Sequence, residues 1–100
     1  MKKDVSKVVY DLENEPLVNE KQQELSYGKI IGMLMLTPDE SENAEQKLIA
    51  FEVANKVISA NEVEFDADEV AFILKKSGKI SSPLVYGRLH KFLEQPKKQK

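Results

Sequence analysis

The sequence predicts a mainly helical α+β fold, an N-terminal β-hairpin followed by a compact bundle of about four helices, on the strength of three observations. Four stretches combine helical apolar spacing with a start or stop signal. Two short β-prone runs flank an acidic turn ahead of them. A hydrophobic content of 41% over 100 residues suits one small core and not two, so a single domain over residues 1–95 is expected.

The hairpin or arm is placed at 6–19, where KVVYDL and PLVN are separated by the turn-forming ENEP. A lone hairpin is marginal in water. Val8, Tyr10 and Leu17 are therefore expected to pack on the helices or on another chain.

The first helix is placed at 26–36. Ser26 offers an N-cap, and Thr37 ahead of Pro38 disfavours continuation. Ile30, Ile31, Met33, Leu34, Met35 and Leu36 make it apolar all round, which predicts complete burial. Gly28 and Gly32 predict close packing against the next helix, since the segment is too short for a membrane-spanning dimer motif.

The second helix, 44–60, is expected to be the centre of the bundle. Its apolar arc runs through Ile49, Ala50, Phe51, Val53, Ala54, Val57 and Ile58, wide enough to be packed from several sides. Thr37 or Ser41 is the expected cap, and Glu52 with Lys56 the expected solvent-facing pair. Val63 and Phe65 then predict a short extended segment with one apolar face.

The third helix is placed at 66–77, with Asp66 and Glu69 at capping-box spacing and Gly78 as its stop. Val70, Ile73 and Leu74 share one face, and Phe72 projects away from them. The fourth helix, 82–94, opens on Ser82 and Pro83 as N-cap and first helical residue. Val85, Leu89, Phe92 and Leu93 supply its inward stripe, and Pro96 begins a basic disordered tail, 96–100. No internal repeat is expected.

Composition excludes several chemistries. Without cysteine there is no disulfide, thiolate metal site or cysteine nucleophile. No apolar run reaches the roughly 20 residues of a membrane span, and the first lysines precede no apolar h-region, so a cytoplasmic location is expected. His90 is the one histidine, and it has neither the partners of a zinc site nor those of a catalytic triad. The carboxylates of the first turn do not follow the spacing of a calcium loop, and no glycine-rich phosphate loop occurs. The expectation is a non-enzymatic chain with no cofactor and no metal.

Charge is divided along the chain. Residues 1–66 carry seven lysines against fourteen carboxylates, and residues 67–100 carry eight cations against three. An acidic front and a basic back fit either two ordinary solvated faces or a surface for an oppositely charged partner. Lys75, Lys76, Lys79, Arg88 and Lys91 form the nucleic-acid alternative, because the last two helices resemble a helix-turn-helix in outline. Against it, the turn is loose and the second helix offers Pro, Leu, Val, Tyr and Gly where base-reading side chains would stand.

Three stretches, ELSYG, EQKLIAFEVANKVISANEVEFDADEVAFILKKSGK and SSPLVYGRLHKFLE, resemble a set of small bacteriophage and prophage proteins. Glu24, Leu25, Ser26 and Gly28 match the opening motif, and Lys47, Phe51, Ala54 and Lys56 the helix motif. Pro83, Leu84, Val85, Gly87 and Arg88 match the closing one. Tyr86 departs from the usual valine, and Ser81 and Ser82 replace an aromatic or small pair. The resemblance spans residues 6–94 and implies a phage-encoded accessory or regulatory protein, without implying a chemistry.

The expected function is protein–protein binding, with self-association and a host or phage protein as the partners. Tyr10, Phe72, Pro83, Tyr86, Arg88, His90 and Lys91 are the expected contact residues. An acidic inhibitor of a host DNA-handling or defence enzyme is the remaining alternative.

Overall fold

A computed structural model describes residues 2–94. It contains β1 (Lys2–Asp4), α1 (Tyr27–Leu36), α2 (Ala44–Ser59), β2 (Glu62–Glu64), α3 (Ala67–Ile80) and α4 (Pro83–Glu94). The mainly helical α+β class holds. The tail expected at 96–100, with the Pro96 stop, lies outside the described residues.

Local signals account for most helix ends. Ser26 Oγ accepts the Lys29 amide at 3.1 Å and starts α1, while the Thr37 hydroxyl donates to the Met33 carbonyl at its end. Asp66 caps α3 in a full capping box: its Oδ1 accepts from the Glu69 amide at 2.7 Å, and Glu69 Oε1 accepts from the Asp66 amide at 3.0 Å. Pro83 is the first residue of α4, and Ser82 Oγ accepts from the Val85 amide.

Two helix boundaries differ from expectation. Asn43, rather than Thr37 or Ser41, caps α2, in a reciprocal box with Gln46. Ser41 is instead turned back on Asp39, whose Oδ1 accepts from both its amide and its hydroxyl. Helix α3 also does not stop at Gly78. It continues to Ile80 and leaves only two residues before α4. Gly78 has an ordinary negative φ and lies beside the Tyr86 ring of α4, where an added Cβ would sit 3.4 Å from Cε1, an ordinary contact.

The N-terminal region is more organised than a lone hairpin. The expected pairing is present as an isolated bridge, Tyr10 opposite Pro16, and a third segment joins it through the bridges Val18–Glu24 and Val8–Ser26. Leu17 N donates to Val9 O, Leu25 N to Leu17 O, and Val9 N to Leu25 O, which closes the three segments on themselves. An eight-residue period underlies this ring and corrects the expectation of no repeat. Asp11 Oδ1 accepts from the amides of Glu13 and Glu15, and Asn19 Oδ1 accepts from those of Lys21 and Gln23. Asn14 and Gln22, again eight apart, both take left-handed φ values, 64° and 63°. Similar residue types, not identical ones, carry the repeat.

Val9 is the buried residue of this arm, whereas Tyr10 lies exposed, so the inward phase is the reverse of that expected for Tyr10. Leu17 and Leu25 pack against the core as expected for Leu17. Strand β1 closes on β2 in an antiparallel pair, Lys2 opposite Glu64 and Asp4 opposite Glu62. This pairing directs Val63 and Phe65 inward.

The core gathers Ile31, Met35, Val53, Phe65, Ile73, Leu89 and Leu93, all but free of solvent. Tyr27 of α1 stacks on Phe92 of α4, ring centroids 4.0 Å apart and 4° from parallel. Burial raises the Tyr27 pKa, partly offset by the nearby Arg88 charge. Helices α1 and α2 meet over the two glycines. A Cβ at Gly28 would lie 2.9 Å from the Val57 carbonyl oxygen, and one at Gly32 would lie 3.1 Å from the Ile58 side chain. Close backbone approach is therefore built into this pair.

Candidate functional site

Three of the five cations of the basic half that lie among the described residues contact other groups of the chain. Lys76 is 3% exposed; its Nζ donates to the Met35 carbonyl at 2.9 Å and lies 3.2 and 3.1 Å from the two Glu42 carboxylate oxygens. Lys79 Nζ sits 2.9 Å from Asp39 Oδ2 and donates to Ser41 Oγ, and these contacts with Lys79 and Ser41 hold the Asp39 carboxyl far below the usual range. The two lysines thus pin the 37–43 connection onto α3. Arg88 Nε and Nη2 donate to the carbonyls of Tyr10 and Asp11 at 2.8 and 2.9 Å and fasten the arm to α4.

This arrangement takes Lys76 out of a phosphate-contacting role and engages Lys79 and Arg88 with other groups of the chain. A buried lysine that left Glu42 would strand a carboxylate in a low-dielectric site. Lys75 and Lys91 remain exposed, on different helices. The expected Glu52–Lys56 surface pair is also replaced. Lys56 reaches α3, 2.8 Å from Glu69 Oε1, and donates to the Glu64 carbonyl.

The largest departure from expectation is on α1 and α2. Met33 and Leu36 of α1 are 57% and 55% exposed, so the segment predicted to be buried all round is not. Helix α2, expected to be covered on several sides, buries Ala50, Val53, Ala54 and Val57 and leaves Leu48, Phe51 and Ile58 at 57%, 58% and 64% exposure. Spacings of three and seven residues set these three on one side of α2, as the spacing of three does for Met33 and Leu36 on α1. The glycine seam brings the two stripes together: Ile58 flanks Gly32, and Leu36 and Phe51 line one cleft of about 400 Å³ with Pro38 and Lys47.

The contact residues expected from the sequence divide into groups. Pro83, Arg88 and Lys91 line a groove of about 470 Å³ with Leu12, Leu84 and Gly87. Tyr10 lies on the arm beside it, held through its carbonyl by Arg88. Tyr86 is half-buried against Gly78, with the exposed His90 ring 5.9 Å away. Phe72 is apart from all of these, half-buried on α3 near Lys75 and Gln46. The α1–α2 face was not among the expected contacts. Its signal was the excess of large apolar residues over what one helical arc can bury.

Among the described residues, no cluster of three or more metal-ligating side chains is assembled, and no helix is long and apolar enough to cross a membrane. No family model matches the chain, and no curated protein or solved structure matches it.

Proposed function

We propose that this chain is a non-enzymatic protein-binding domain that associates with a second copy of itself through the α1–α2 face. One observation carries the reading: five large apolar side chains, Met33, Leu36, Leu48, Phe51 and Ile58, each more than half exposed on adjoining stripes of two helices. Single exposed apolar residues are ordinary, but five on the outer sides of a close-packed helix pair support a binding surface. A twofold contact lets one such patch cover its own copy and needs no second sequence. The sequence resemblance supports placing this activity in a phage-encoded accessory or regulatory factor working in the cytoplasm.

The nucleic-acid alternative is less well supported, because Lys76, Lys79 and Arg88 are held by Glu42, Asp39 and the arm carbonyls. Light scattering from 10 µM to 1 mM tests the proposal. The expected result is a rise toward twice the chain mass in the native protein and a constant single-chain mass for Phe51→Lys combined with Ile58→Lys. A native chain that stays at single mass throughout would overturn it.

A further inference from the structure

The groove between the arm and α4 carries an observation independent of the α1–α2 face. Gly87 lies in the interior of α4, where glycine destabilises a helix relative to alanine. Nothing in the fold asks for it. An added Cβ would meet no atom within 4 Å, and its φ is not in the left-handed region. Gly28 and Gly32 each admit a neighbour closer than a Cβ ordinarily allows, Gly78 lies at ordinary contact distance from Tyr86, and Gly87 has no neighbour from this chain in that range. A helix position that gives up stability without a packing reason is expected where something outside the chain uses the space.

The surroundings define what that is. Pro83, Gly87 and Lys91 recur every four residues along one side of α4, so the bare Cα forms a notch between a ring and an ammonium group. Leu84 and Leu12 complete an apolar lining, and Leu12 is 83% exposed on the arm turn. Both formal charges lining the groove, Arg88 and Lys91, are positive. Lys91 has no ion-pair partner among the described residues. The nearby Asp11 carboxylate is folded onto the amides of its own turn.

We infer that this groove docks an acidic peptide segment of another protein, seating a large apolar side chain in the Gly87 notch and a carboxylate on Lys91 and the free edge of Arg88. Charge complementarity selects that occupant. A basic segment would meet the positive charges of Arg88 and Lys91, and a purely apolar one would leave them without an opposite charge in the groove.

The test uses fluorescein-labelled peptides on the full chain at low salt: Glu-Glu-Leu-Phe-Glu-Glu, its charge-reversed form Lys-Lys-Leu-Phe-Lys-Lys, and Glu-Glu-Ser-Ser-Glu-Glu. The first is expected to bind at least tenfold more tightly than either control. Gly87→Leu, which fills the notch at an open position, should weaken it at least tenfold, and Lys91→Glu at least fivefold. Phe51→Lys should leave it unchanged, which separates this site from the self-associating face. Gly87→Ala should lower affinity while raising the melting temperature by about 2–6 °C, a pairing that a purely structural glycine would not produce. Equal binding of the acidic and charge-reversed peptides, or indifference of binding to Gly87→Leu, would overturn the inference. So would a self-association that Gly87→Leu abolishes, which would put a second copy in the groove.

Discussion

Helices α3 and α4 turn Val70, Ile73, Leu74, Leu89 and Leu93 inward and keep every other large apolar side chain at least partly covered, whereas α1 and α2 leave Met33, Leu36, Leu48, Phe51 and Ile58 in solvent. The two pairs differ in how their apolar residues are distributed. α3 and α4 carry a narrow stripe opposite charged residues, and the neighbouring helices cover it. α1 carries apolar residues around most of its circumference, and a ten-residue helix seated on α2 and α3 has only part of that circumference to bury. The glycine seam presses α1 and α2 together and pushes the surplus to their common outer face. Stability of the single chain therefore resides in α3, α4 and the inner sides of α1 and α2, and the proposed association uses the outer side.

Substitutions should separate these regions. The largest effect is expected at the pin between them. Lys76→Ala leaves Glu42 buried without a cation and should cost about 3–5 kcal/mol in urea unfolding. Pairing it with Glu42→Leu should recover most of that loss, and a double variant as unstable as the single one would show that the charge is not what matters.

At the seam, Gly28→Ala drives a Cβ onto the Val57 backbone carbonyl and should cost about 1–3 kcal/mol. Gly32→Ala should cost less, because it meets the mobile end of the exposed Ile58 side chain. Equal losses in thermal unfolding would contradict the geometry described for the seam. Further down the scale, Asn43→Ala and Asp66→Ala each remove a helix cap worth about 1 kcal/mol. Chemical denaturation should find the two similar.

Smallest in stability, Phe51→Lys and Ile58→Lys should stay within about 0.5 kcal/mol of the native chain, as surface changes do. A loss as large as that of a core truncation, about 2–5 kcal/mol, would mean that the face is part of the monomer core.

The elements legible in the sequence were those fixed by neighbours in the chain. Ser26, Asp66 with Glu69, and Ser82 with Pro83 announce helix starts because cap and amide lie within three residues of each other. The α1–α2 glycine seam was legible for a similar reason, since a four-residue spacing sets both glycines on one side. Features that depend on distant segments were hidden. Lys76 sits beside Lys75 near a helix end and looks solvated until the 37–43 connection folds back to bring Glu42 to it. The end of α3 was misplaced because Gly78 usually signals a stop, and here it keeps a negative φ inside the helix. The repeat in the arm was hidden because Asp11 and Asn19, or Asn14 and Gln22, share a conformation without sharing an identity. The open face escaped notice because an apolar arc shows how much can be buried, and only the packing shows how much is.

Backbone amide chemical shifts followed on dilution from 1 mM to 20 µM test the division between the helix pairs most directly. The account predicts concentration-dependent shifts in residues 29–36 and 47–58, with 67–94 unmoved. Shifts centred on α4, or none at all across a range in which the mass changes, would contradict it.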